Sequence, residues 1–341
     1  EKFTVQLDVR PGELNSLDRG LRPGIIDLDF TFRDATVNYF PEQPYAYGVD
    51  GDGSGDATSI SMSLRDATIE EMYVPSGVAL ITEMLQDSAL LTIIANIEGP
   101  AANAIQLLDG PGFGYPSKMG FKSEQFSGQV SAELGVQLPF RSEVAFEEVQ
   151  FAAVARMDDL AVTSLIGDYD VSEGQMRLTL DENSMDVSGT IAVAGMPADV
   201  KWKENFSPEA PFRSRYDITA QLDGEARKIF GISLGLYAQG PFGMNLTYTV
   251  SVDGTQQVAA ALDAKNVQME VPELFWQKPV GEGASILVLA QLEDHKNVEI
   301  TNFELNSKDL RLKGRAEIEP EHGHLINASL SSIQLGDNDV A

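Results

Sequence analysis

The 341 residues combine 43% hydrophobic with 22% charged side chains, globular usage that excludes a disordered chain. Fifty-two acidic against 24 basic residues leave a formal net charge of -28, which repels phosphates at long range and argues against nucleic acid as a partner. The absence of cysteine excludes disulfides, thiolate zinc sites and cysteine nucleophiles, and the longest apolar stretch, "ALLTIIANI", is broken by Thr92 and Asn96 and is far short of a membrane-spanning helix.

The chain opens on "EKFTVQLDV", strand-like from its first residues, with neither an initiator methionine nor a basic-plus-apolar signal, and so reads as a stretch of something longer. "DGDGSGD" sets Asp50, Asp52, Ser54 and Asp56 at alternating positions, like the start of a calcium loop. Its twelfth position is Ser61 rather than glutamate and strand patterns flank it, so a polar turn is expected instead. "GVALITEMLQDS" suits a hairpin. "GPAANAIQLLDG" predicts a helix, with Pro100 near its start, Ala104, Ile105 and Leu108 on one face and Gly110 as its stop. "GPGFGYPSK" lacks phosphate-loop spacing and reads as a turn.

Period-two alternation dominates the remainder. "MRLTL" places Met176, Leu178 and Leu180 on one face; "MDVSGTIAV" does the same with Met185, Val187, Ile191 and Val193; "LRLKGRAEI" with Leu310, Leu312 and Ile318; and "YTVSV" is a further example. "DGEARKIFG" predicts two helical turns capped by Asp223 and ended by Gly231. "LDEN", "VDGT" and "EPEHGH" are turn signals at the short spacing of antiparallel hairpins. The expected fold class is therefore all-β, a long antiparallel sheet with one or two short helices.

Three stretches share an apolar alternation around a glycine, at Gly128, Gly189 and Gly314, and a weaker fourth surrounds Gly254, where Asp253-Gly254 more naturally makes a turn; the glycines are spaced by 61, 65 and 60 residues on subtraction. A recurring hairpin unit in a continuous array over 1–341 follows, with approximate sub-segments 1–122, 123–224 and 225–341.

Signals for catalysis are weak. The three histidines, His295, His322 and His324, lie near no nucleophile elbow, and "EHGH" sits at a hairpin tip that rarely fixes a metal geometry. The pairs Glu147-Glu148 and Asp158-Asp159 put neighbours on opposite strand faces. No catalytic residue, metal ligand or cofactor is assigned. Trp202 and Trp276 suit core or groove-edge packing.

Three longer strings, "IEGPAANAIQLLDGPGFGYPSKMGF" (97–121), "GTIAVAGMPADVKWKENFSPEAPFRSRYDITAQLD" (189–223) and "VPELFWQKPVGEGASILVLAQL" (271–292), resemble characteristic segments of the AsmA-like family, and in particular its YhdP-type branch of Gram-negative bacteria. The resemblance covers most of the chain from about residue 25 onward. It implies a curved, groove-like β-sheet, non-catalytic, in a periplasmic protein held to the inner membrane by an N-terminal anchor that this stretch lacks. It further implies phospholipid acyl chains in the groove and outer-membrane or envelope proteins as further partners. On that reading the groove candidates are the ten alternating residues Met176, Leu178, Leu180, Met185, Val187, Ile191, Val193, Leu310, Leu312 and Ile318. Two other classes stand beside it: a structural or adhesive β-repeat scaffold binding protein partners, and a polysaccharide-active enzyme, which would need a focused cluster of carboxylates or a metal site.

Overall fold

The computed structural model describes residues 2–8, 10, 26–39, 43–110, 114–141, 143–145, 148–166, 169–229, 237–292, 298–319, 325–336 and 338–340. As the alternation predicts, the described chain is mostly antiparallel β-strand, with a few short helices. Its contacts group it into two compact units, Glu1–Leu165 with Gly174–Glu182, and Ile166–Glu173 with Asn183–Ala341.

The first unit is a ladder of eight strands in chain order: β1 (Lys2–Leu7), β2 (Ile26–Val37), β3 (Ala46–Gly55), β4 (Ile60–Ile69), β5 (Met72–Thr82), β6 (Leu90–Pro100), β7 (Phe126–Pro139) and β8 (Gln150–Ile166). Each strand pairs antiparallel with the next. One face carries the buried or half-buried side chains, with Phe30, Gly53, Met62, Ala79, Ile93, Val136 and Phe151 in one cross-strand row. That face is called the inner face below. Between β6 and β7 the chain forms α1 (Ala101–Leu108) and the single turn α2 (Tyr115–Lys118), tied together where Asp109 accepts hydrogen bonds from the backbone N–H (2.9 Å) and hydroxyl of Ser117. A buried cluster of Ala46, Val49, Ala67 and Val74 forms this unit's sealed core, with Phe32, Tyr39, Leu64 and Ile97 packed on it.

The stretch "DGDGSGD", expected as a polar turn, is instead the body of β3. Its alternation is one of side-chain size rather than hydropathy. Gly51 and Gly53 lie on the inner face beneath Phe32 and Phe30, so close that a Cβ on either glycine would fall 2.3 Å from a ring carbon. Asp50 and Asp52 belong to the opposite face. Asp50 Oδ1 accepts the backbone N–H of Asp34 at 2.8 Å, and Asp52 pairs with Arg65. Asp34 has φ +52° at a break in the β2–β3 register, so the aspartate braces a β-bulge, and no calcium geometry is needed to explain it.

β9 (Tyr169–Asp181) is shared between the units by residue range. The second unit then runs β10 (Ser184–Val193), β11 (Met196–Asn205), β12 (Ser214–Leu222), α3 (Gly224–Ile229), β13 (Ala238–Gln239), β14 (Phe242–Val250), β15 (Gln256–Asp263), β16 (Gln268–Val271), β17 (Trp276–Lys278), β18 (Ala284–Leu292), β19 (Val298–Ser307), β20 (Leu310–Ile318), β21 (Leu325–Leu335) and β22 (Asn338–Val340). Ten of these pair successively in a second ladder, which skips β13, β16 and β17. The three skipped strands form a small antiparallel sheet of their own. Asp223 caps α3 as its sequence predicts, accepting the N–H groups of Glu225 (3.0 Å) and Ala226 (2.8 Å) through Oδ1; Gly231 lies outside the described residues.

The four recurring glycines do not occupy equivalent places. Gly128 has φ +110° at a bulge opposite Asp158 and Asp159, and Gly314 stands at a register shift against β21. Gly254 lies in a hairpin turn, with its N–H donating to the Ser251 carbonyl at 3.0 Å. Gly189 faces Val200 in uninterrupted register.

Candidate functional site

The second unit's inner face can be followed across the strands in successive rows, because residues paired in an antiparallel ladder share a face. At one margin Leu222, Phe242, Ala264, Ala284, Leu305, Leu310 and Leu312 are buried together with Val267, Met269 and Trp276 of the small-sheet region. The small sheet and α3 seal this margin. Lys278 is fully buried there, donating from Nζ to the carbonyls of Val267 (2.7 Å) and Pro279 (3.1 Å); burial pushes its ammonium below the ordinary lysine range, opposed by the charges of Glu282 and Asp263. Arg227, also buried, lies 5.2 Å from the Phe242 ring centroid and donates to the Gly240 carbonyl.

Away from the sealed margin the character changes. Val200, Ile218, Leu246, Ala260 and Val288 form a row of aliphatic side chains across β11, β12, β14, β15 and β18. All five are half-buried, and none belongs to the sealed cluster. The next row is aromatic: Trp202 stacks on Tyr216 (centroids 5.4 Å apart, planes at 16°), and Tyr216 on Tyr248 (5.7 Å, 26°). Burial pushes the Tyr216 phenol up to about 12, with help from Glu204 and Tyr248 and against the opposing charge of Arg213. The outermost row, at the strand ends, holds Met185, Glu204, Ser214, Val250 and Gln256.

The ten sequence-selected residues all fall among the less exposed positions of their strands. Met176, Met185, Val187, Val193, Leu310 and Leu312 are buried, and Leu178, Leu180, Ile191 and Ile318 half-buried, alternating with exposed neighbours such as Arg177, Thr179 and Asp186. They do not form one surface. Leu310 and Leu312 lie in the sealed cluster, whereas Val187 pairs with Trp202 at the aromatic row. Sequence reasoning missed the aliphatic row, although Val200, Ile218 and Val288 stand in equally regular alternations, and it missed the stack that Tyr216 and Tyr248 build on Trp202. Trp276 packs in the core, and Trp202 at the open part of the face.

The carboxylate pairs behave as ordinary surface groups where described: Arg141 pairs with Glu148, and Arg156 with Asp158, while Glu147 lies outside the described residues. His295, His322 and His324 also lie outside them. Among the described residues no group of three or more His, Cys, Asp or Glu is placed to hold a metal ion, and no helix is long and apolar enough to cross a membrane. Comparison with known proteins finds no matching family model, no matching curated protein and no matching solved structure.

Proposed function

We propose that the half-buried inner faces of the two units are tracks that shield phospholipid acyl chains from water, in a non-catalytic segment of a periplasmic, inner-membrane-anchored protein of the AsmA-like, YhdP-type kind. The observation that carries this reading is the aliphatic row Val200, Ile218, Leu246, Ala260 and Val288, aligned across consecutive strands yet outside the sealed cluster. The first unit offers a comparable row in Phe30, Met62, Ile93 and Val136. A row of similar apolar side chains, one per strand at a spacing of about 4.8 Å, presents neighbouring positions of similar energy, which allows movement without a deep trap.

The energetic gain is large. Each methylene kept from water is worth about 0.8 kcal/mol, so a two-chain lipid crossing an aqueous space unshielded faces a barrier on the order of 20 kcal/mol, most of which a continuous apolar track removes. Solvent extraction and mass spectrometry of the purified chain test the reading, which expects phospholipid in stoichiometric amount; a lipid-free preparation refutes it.

A structural or adhesive scaffold is the second reading. It is favoured by Val78 and Ile94, paired on the outer face of the first unit and about half exposed, with Leu80 and Val154 also exposed. That reading expects no bound lipid and a protein partner whose binding is lost on replacing Val78 and Ile94 with polar residues.

A further inference from the structure

The carboxylate of Glu204 is the least compensated buried charge-bearing group on the second unit's inner face. The residue is only 7% exposed. Trp202 Nε1 donates to its Oε2 at 3.1 Å, and it has no other hydrogen bond or ion pair among the described residues. Its second oxygen is not sealed from solvent, since among the described residues no buried side-chain oxygen lacks a partner. A carboxylate held by one neutral donor, with its second oxygen open to solvent, offers an unshared acceptor that a cation can take. Two cations that flank it in sequence and across the ladder are engaged on the other face: Lys203 with Asp186 at 2.7 Å, and Arg215 with Asp217 at 3.0 Å.

The surroundings of Glu204 define what kind of cation fits. Polarity along β11 and β12 changes in order, from Glu204 and Ser214 at the strand ends, through the Trp202–Tyr216 stack, to Val200 and Ile218. That is the order of a bilayer interface, in which polar groups, an aromatic belt and hydrocarbon succeed one another. Four residues of strand separate the aromatic row from Ala198 on the sealed side, about 13 Å at 3.3 Å per residue, close to the roughly 15 Å of one leaflet's hydrocarbon. An amphiphile with a cationic head thus matches the face in sequence of chemistry and in length. A carboxylate oxygen with a free lone pair favours an ammonium that carries N–H. Arg213, exposed and close enough to influence the Tyr216 hydroxyl, supplies the opposite charge that a headgroup phosphate would need.

We propose that Glu204, with Trp202 and Tyr216, forms a headgroup subsite selecting phospholipids that carry a primary ammonium, such as phosphatidylethanolamine. The proposal rests on the acyl-track reading of the same face and adds to it an orientation and a headgroup class.

The test is native mass spectrometry of the chain incubated with equal amounts of phosphatidylethanolamine, phosphatidylcholine and phosphatidylglycerol dispersed in detergent. The wild type is expected to retain phosphatidylethanolamine several-fold over phosphatidylglycerol, with phosphatidylcholine between them. Glu204→Gln is expected to level that preference. N-acetylated phosphatidylethanolamine, offered to the wild type, should lose the advantage too, a measurement independent of whether the variant folds. Lipid bound without headgroup preference, or a preference that survives Glu204→Gln or N-acetylation, overturns the subsite and leaves the track standing. No lipid bound to the wild type overturns both.

Discussion

Gly51 and Gly53 show how much a single missing side chain decides. Phe32 and Phe30 lie across β3 only because no Cβ stands beneath them, and a Cβ at Gly51 would also meet the Ser63 carbonyl at 2.4 Å. Gly51→Val and Gly53→Val should each therefore lower stability by about 1–3 kcal/mol, the usual cost of overpacking, seen as a lower urea midpoint with unchanged slope. Gly254→Asn, at φ +88° with open space around it, should cost about 1 kcal/mol, from backbone strain alone. The sequence hid this strand because an Asp-Gly repeat carries the composition of a turn, and the period-two signal lay in size alone. Lys278 gives a second residue-scale prediction. Its folded pKa lies below its unfolded value, so the unfolded chain binds the proton more tightly between the two, and folding there releases it. Relative to Lys278→Met, the wild type should gain stability as pH rises through that window towards an unfolded value of about 10.4, and show a constant difference below it. Urea titrations of both proteins from pH 7 to 10.5 check the sign.

Among the elements, strands with the same alternation serve two purposes. Leu312 lies under the small sheet, while Ile218 stands in the half-buried row. Leu312→Ala should cost about 2–5 kcal/mol, as cavity formation does in a sealed core, and Ile218→Ala clearly less, because its site can relax towards solvent. Trp276→Ala should cost about 3–5 kcal/mol by loosening β17 from the core beneath it. The strands and helices that carry the main ladders were legible: α1, the "GVALITEMLQDS" hairpin and the Asp223 cap all form where the pattern places them. The sealing of one margin was not. β13 has two residues and β17 three, too short for any periodicity, and their pairing through β16 joins segments about 30 to 40 residues apart in sequence. Consequently the alternation identified an apolar face at Leu310 and Leu312 without showing that another layer covers it.

At the scale of the whole molecule, the two units repeat one division of labour: a buried cluster on part of the inner face, half-buried apolar rows on the rest, and more exposed side chains on the other side. The net charge of -28 has to be carried mainly by exposed positions, which favours solubility and opposes adhesion to anionic surfaces. The proposed function requires the half-buried rows to face lipid rather than protein. Photoreactive residues placed singly at Val200, Ile218 and Val288, and at their outward-facing neighbours Asp199, Thr219 and Leu287, test it most directly when the chain is irradiated in cells and its adducts are identified by mass. Phospholipid adducts at the first three positions and none at the second three are the expected result; adducts absent from the first three, or equally frequent on both faces, would contradict the account.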